Sequence, residues 1–267
     1  MMRPELMACT QAVVIDLGQP LERGMPQSPN HPPFRMILER RHGDMTRSDG
    51  GSAANEIIIT GGHVGTHIDA FSHVSQDGRL AGGVDAHGAL VSGRFAQLGV
   101  ETIEPIICRG VLLDVAGCLG KEVLDDGFPI GVAELERTAA QQGTELKPGD
   151  AVLIRTGWPK HWHDVPRFQG QTGGVPGPTE EAAQWLAKRA IKYVGSDTIA
   201  FEHIAPGKGH SVLPAHRVFL VENQIHIIEL LELEALASGR HYEFLFIALP
   251  LKITGATGSP VRPVALV

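Results

Sequence analysis

Gly62-His63-Val64-Gly65-Thr66-His67-Ile68-Asp69-Ala70-Phe71-Ser72-His73 holds three histidines and an aspartate within the eleven residues from His63 to His73. All four occupy odd positions. Side chains along an extended strand alternate faces, so His63, His67, Asp69 and His73 would project to one side. A helix would bring His63 and His67 together but, at about 100° per residue, would swing Asp69 roughly 120° away from His63. The extended reading is the better one, with one condition. At about 3.3 Å per residue an unbroken strand leaves His63 and His67 roughly 13 Å apart, too far to share an ion. The chain must fold back or bulge between them, and Gly65 is the residue that permits it. A lone histidine here would read as a structural residue. Imidazole and carboxylate at this density suit zinc, manganese or a related divalent ion.

Working outward, Asn55 to Thr60, with Ile57-Ile58-Ile59 inside, reads as a strand that delivers the chain to His63. Ala12 to Leu17 and Phe34 to Leu38 read as earlier strands. Between them the proline-rich run Gln19 to Pro33 reads as an ordered cover, and Arg41 to Ala54 as a surface loop or flap. Gly110 to Val115 and Ala151 to Arg155 are apolar and bounded by turns, which predicts buried strands. Helical spacing over Gly131 to Gln142 ends at Gly143, a C-cap, and Thr179 caps a helix running to about Arg189. Thr156 to Pro178 is a long glycine- and proline-rich loop carrying Trp158, Trp162 and Phe168, of the kind that covers binding sites. Lys192 to Val194, Gln224 to Ile228, Glu243 to Leu249 and Val261 to Val267 read as strands, and Leu213 to Val221 as a helix.

With Gly 32 and Pro 18 in 267 residues, many short strands and turns are favoured over a helical bundle. No repeat or linker divides the chain, so residues 1–267 read as one domain. A net charge of −7 with scattered basic residues argues against nucleic acid. Cys9, Cys108 and Cys118 are odd in number and lack CxxC spacing, so packing is their expected role. Neither a signal peptide nor an apolar run of roughly 20 residues is visible, and a cytoplasmic enzyme is expected.

The stretch His63-x-Gly65-Thr66-His67-x-Asp69-Ala70-x-x-His73 resembles the signature of the metal-dependent cyclase-like hydrolases, a family that includes bacterial kynurenine formamidases, isatin hydrolases and some lactone-cleaving relatives. Asp16-Leu17, Gly195-Ser196-Asp197-Thr198, Ala215-His216, Ile227-Ile228-Glu229, Pro250-Leu251-Lys252 and Arg262-Pro263-Val264-Ala265 follow the family order. The resemblance implies a mixed α/β chain with the swivelling β/β/α cyclase-like fold. It implies that His63, His67 and Asp69 bind a first ion, and that Asp69 bridges to a second held by His216 and Glu229. His73 becomes the acid/base group. The implied cofactor is zinc or manganese, one or two ions per chain, and the implied assembly a homo-oligomer, first a dimer. One departure is Phe71, where relatives often carry proline; an aromatic ring there either shapes the pocket or packs in the core.

The expected reaction is attack of metal-activated water on an amide, formamide or cyclic amide, with His73 passing the proton. Thr66 and Ser72 are candidates to bond ligands or the developing oxyanion, with turn stabilisation as the alternative, and Asp197 to orient a ligand histidine. Phe71, Trp158, Trp162 and Phe168 suggest a planar or aromatic small-molecule substrate. The competing readings are a lactone or ester hydrolase on the same site, a non-catalytic metal-binding protein, and an interaction module with structural histidines. No Gly-x-Ser-x-Gly elbow competes, and His73 favours an enzyme.

Overall fold

The protein is described by a computed structural model over residues 10–267, so the packing expected of Cys9 lies outside the described residues. Nine strands of one sheet and a separate two-stranded hairpin are the main strands of the described residues. They are β1 (Val14–Asp16), β2 (Arg35–Arg40), β3 (Asn55–Ile59), β4 (His67–Asp69), β5 (Ile106–Asp114), β6 (Ala151–Arg155), β7 (Tyr193–Ser196), β8 (His226–Glu229), β9 (Glu243–Ala248), β10 (Gly258–Pro260) and β11 (Val264–Leu266). Nine of them form one mixed, curled sheet in the order β1-β11-β9-β5-β6-β7-β8-β4-β10. The centre, β5 through β8, is parallel, and the strands on either side pair antiparallel.

The parallel centre explains why its strands read as unbroken apolar runs: both faces are covered. Alternation still sorts the residues. Val111 and Leu113 of β5, Val152 and Ile154 of β6, and Ile227 of β8 face the helical side. Leu112, Leu153 and Ile228 face the opposite core beside Leu17 and Phe246. The helical layer contains α1 (Val132–Gln142) and α2 (Glu180–Ala187). α1 ends at Gly143 with φ +67°, a left-handed cap that glycine adopts without strain. Thr179 caps α2 by accepting the Ala182 N–H.

Three expectations need correction. The helix foreseen over Leu213 to Val221 is α3 (Pro214–His216) followed by a wider π turn, Arg217–Glu222. The last strand is shorter than Val261 to Val267, because Pro263 has no N–H to give a ladder. The loop over Thr156 to Pro178 folds inward instead of covering a site: Trp158 and Phe168 are fully buried, and the Trp158 indole donates to the Phe168 carbonyl at 2.9 Å. β2 and β3 do form strands, but as a separate two-stranded hairpin exposed along its whole length.

Candidate metal centre

The histidine stretch is extended only at its middle. β4 spans His67–Asp69, so these two side chains share a face, while His63 to Thr66 is a turn in which Gly65 takes φ +69°. A Cβ at Gly65 would lie 2.2 Å from Leu21 Cδ2, so both conformation and space favour glycine. The fold-back required by the 3.3 Å rise is therefore present. Thr66 ties the turn down: its hydroxyl donates to the Leu230 carbonyl at 2.6 Å and accepts from Gln19 N at 2.8 Å. Among the described residues, the buried Ser72 Oγ has no hydrogen-bond partner.

Sheet register brings in the distant carboxylate. β8 runs antiparallel to β4 with Glu229 directly opposite His67. His67 Nε2 lies 3.4 Å from Glu229 Oε2 and 3.6 Å from Asp69 Oδ1. From α3, His216 Nε2 lies 3.2 Å from Glu229 Oε1 and 3.7 Å from Asp69 Oδ2. His63 Nδ1 donates to Asp69 Oδ1 at 2.7 Å. The His73 ring stacks on His63, centroids 3.8 Å apart. Two groups of donor atoms are each compact enough for one ion, His63-His67-Asp69 and Asp69-His73-His216, with all atoms of a group within 4.8 Å. Asp69 belongs to both.

The donor chemistry fits a cation. His67 Nδ1 donates to the Gly65 carbonyl at 2.8 Å, which leaves Nε2 as the free lone pair facing Asp69 and Glu229. Burial pushes the His67 pKa down to about 4, so the ring is neutral at pH 7. Among the described residues Asp69 Oδ2 is buried without a hydrogen-bond partner, and Glu229 Oε1 has only the His216 Nε2 contact at 3.2 Å. Lone pairs and carboxylate oxygens converging in a buried space are costly unless a positive charge joins them. Burial raises Glu229 to about 7, while at Asp69 the neighbouring His73 and His63 outweigh burial and hold the carboxyl below its usual range. Burial would lower His216, but Glu202 and Glu229 raise it well above the ordinary histidine value.

Several supporting residues carry no sequence signal of their own. Glu202 is buried and accepts from His216 Nδ1 at 2.6 Å, His216 N at 3.1 Å and Ala215 N at 2.9 Å. This, not Asp197, is the carboxylate that orients His216. Asp197 instead accepts from Thr156 N, Thr156 Oγ1 and Gly157 N, organising the turn after β6, and burial lifts its pKa to about 7 against those bonds. Phe71 stacks on His226 at 3.9 Å and packs against the helical-side core. A cavity of about 200 Å³ opens over His63, His67, His73, His216 and Glu229. Its walls come from the proline-rich cover, with Ser28, Asn30 and His31, and from His210 and Leu213. Phe71, Trp158 and Asp197 are absent from that wall. His31 stacks on His63 at 5.1 Å, and His210 Nδ1 bonds Ser28 Oγ at 3.1 Å.

The chain is similar to several known proteins. A family model described as putative cyclase matches residues 15–203. An isatin hydrolase of Roseibium aggregatum is 30% identical over 224 residues, covering 82% of this chain and 77% of that protein. A kynurenine formamidase of Bacillus cytotoxicus is 26% identical over 250 residues, covering 94% and 95%. Among solved structures, a protein described as a novel cyclase superposes with TM-score 0.87 at 28% identity, covering 100% of this chain and 94% of that one. Isatin hydrolase A from Ralstonia solanacearum, at 24% identity and TM-score 0.76 over 100% and 97%, shares the fold. A family match over most of the length, with a relative at 30% identity, settles the assignment: the chain belongs to the putative cyclase family.

Proposed function

We propose that the protein is a metal-dependent hydrolase that cleaves the carbon–nitrogen bond of an amide, formamide or cyclic amide, acting as a single domain over residues 1–267. The observation that carries the reading is Asp69, a buried carboxylate shared by two ligand groups. His63, His67 and Asp69 would hold one ion; the second compact group joins His73 to Asp69 and His216, and we assign His73 to proton transfer and Glu229, whose Oε1 lies 3.2 Å from His216 Nε2, to the second ion in its place; zinc or manganese suits both sets. A divalent cation held there lowers the pKa of water from about 15.7 toward 7 and polarises a carbonyl.

The chain's own part centres on His73. Burial pushes its pKa down to about 3, which keeps the ring neutral at pH 7 with a lone pair on one nitrogen. Stacking on His63 restrains the ring over the ligand cluster. As the water oxygen bonds to the carbonyl carbon, His73 takes the water proton. It returns that proton to the departing nitrogen as the C–N bond breaks. The cavity, about 200 Å³, is below the ~300 Å³ at which drug-sized pockets begin, which favours a small substrate. The names of the relatives support an aromatic one. A lactone would offer the same carbonyl with oxygen as leaving atom and is the second reading.

No helix among the described residues is long and apolar enough to cross a membrane. Free Cys108 and Cys118 support a reducing, cytoplasmic setting. We take the assembly to be a homodimer. A hydrolysis panel of N-formylkynurenine, isatin and simple lactones, with zinc or manganese supplied, tests the function. Amide turnover that collapses in His73→Asn while metal content is kept supports it. Failure on every amide, or full activity in the variant, contradicts it.

A further inference from the structure

The metal cavity has a neighbour. A second pocket of about 330 Å³ is walled by Pro29, Gln169, Gln171, Gly207, Lys208 and His210. His210 borders both spaces, this pocket and the cavity of about 200 Å³ over the ligand histidines. Ser28 and Asn30 line the inner cavity and Pro29 the outer pocket, so one ring and one turn separate the two.

That ring is lightly held. Its hydrogen bond is to Ser28 Oγ, from Nδ1 at 3.1 Å. Ser28 Oγ already accepts the Asn30 N–H at 3.4 Å and, being buried, gives its own hydrogen to Nδ1. Nε2 then carries the ring hydrogen, and among the described residues this buried nitrogen has no partner. A buried donor left unpaired disfavours the position in which it is held. The segment bearing the ring turns through Gly207 at φ +73° and Gly209 at φ +52°, and a Cβ at either would meet nothing within 4 Å. With little packed on this segment, the ring can turn aside at the loss of one hydrogen bond.

The chemistry of the outer pocket is one-sided. No carboxylate lines it, and its one charge is the Lys208 ammonium, exposed and without an ion pair among the described residues. Gln169 Nε2 donates to the Gln27 carbonyl at 2.7 Å and Gln171 Nε2 to Gln169 Oε1 at 2.8 Å, so each amide nitrogen keeps a second hydrogen. A cation beside spare N–H groups, with no acid competing for them, suits a carboxylate.

We propose that the outer pocket is a subsite for a carboxylate on a distal arm of the substrate, reached when His210 turns aside. The substrate is an amide whose reacting end fits the inner cavity and whose acidic arm runs past Ser28 to Lys208. The reacting end rests on the hydrolytic reading above; the arm is tested apart from it.

Rates on the zinc- or manganese-loaded protein are compared for formanilide, for formanilide with a para butanoate arm, and for its butanamide counterpart. The wild type is expected to favour the butanoate over the butanamide in kcat/KM, and Lys208→Gln to cut that preference about 3–10-fold. His210→Ala, with no wall to displace, is expected to raise the butanamide-to-formanilide ratio about 2–10-fold. Lys208 is exposed, so its replacement leaves circular dichroism unchanged. A wild type without acid preference, or a preference that survives Lys208→Gln, overturns the subsite. An unchanged ratio in His210→Ala overturns the route past that ring. If none of the three amides is turned over, the hydrolytic reading is what fails, and calorimetry with 4-phenylbutanoate and 4-phenylbutanamide reads the subsite instead. Equal or absent binding of the two, or a preference that Lys208→Gln leaves intact, then overturns it; a preference lost in the variant upholds it.

Discussion

Replacing Glu202 by glutamine changes one oxygen for an amide nitrogen at a residue whose side-chain hydrogen bonds, among the described residues, go to Ala215 and His216. Glu202 is 1% exposed, and its two oxygens take three N–H donors, from His216 Nδ1, His216 N and Ala215 N. Glutamine keeps one acceptor oxygen. Its NH2 must face either Ala215 N–H or the His216 donors, which leaves a buried donor unpaired at a cost of about 1–3 kcal/mol. The lost charge also weakens the bond that fixes His216 with Nε2 toward Asp69 and Glu229. Outer partners of ligand histidines are typically worth 10–100-fold in metal affinity, or about 1.4–2.7 kcal/mol. Competition against a chromophoric chelator, with zinc counted per chain, reads this directly. The expected result is one ion weakened by about 10–100-fold while an ion on His63 and His67 is retained. Unchanged affinity for every bound ion would refute the claim that Glu202 holds His216 for ligation.

Gly65→Ala places a side chain at φ +69°, which costs about 1–2 kcal/mol even if Leu21 swings aside; urea unfolding that matches the wild type would remove the strain argument. Asp197→Asn turns a donor toward Thr156 and Gly157 and should cost about 1–3 kcal/mol of stability with metal content unchanged. Metal loss at full stability would return Asp197 to the site. His226, pushed down to about 4 by burial, binds fewer protons folded than unfolded, so it stabilises above pH 6.5 and that contribution fades as pH falls toward 4. The window is worth on the order of 3 kcal/mol. In chelator-treated protein, His226→Gln, which keeps a donor for the Asp69 carbonyl, should flatten the fall in stability between pH 6.5 and 5. An unaltered slope contradicts the assignment.

The local part of the site was legible in the sequence because spacing alone constrains it. Parity put His67 and Asp69 on one face, and the rise per residue demanded the turn that Gly65 makes. Glu229 is different. It meets His67 through the β8–β4 register, a contact across 162 positions that no local pattern encodes, and only the family resemblance pointed to it. Glu202, His31 and His210 had no signal beyond being single polar residues in loops. Trp158 and Phe168 were misread because aromatic residues in a glycine- and proline-rich loop look alike whether they line a cavity or turn into the core. Ile57-Ile58-Ile59 announced a strand correctly, yet an aliphatic run does not reveal whether its own chain covers it.

The shared carboxylate is the pivot, and metal analysis of Asp69→Ala beside the wild type tests it most directly. Purified with zinc or manganese supplied, the wild type should hold one to two ions per chain, and the Asp69 variant should hold none, because both ligand groups lose the same oxygen donor. A wild type free of bound metal after such loading, or an Asp69 variant that keeps its full complement, would contradict the account.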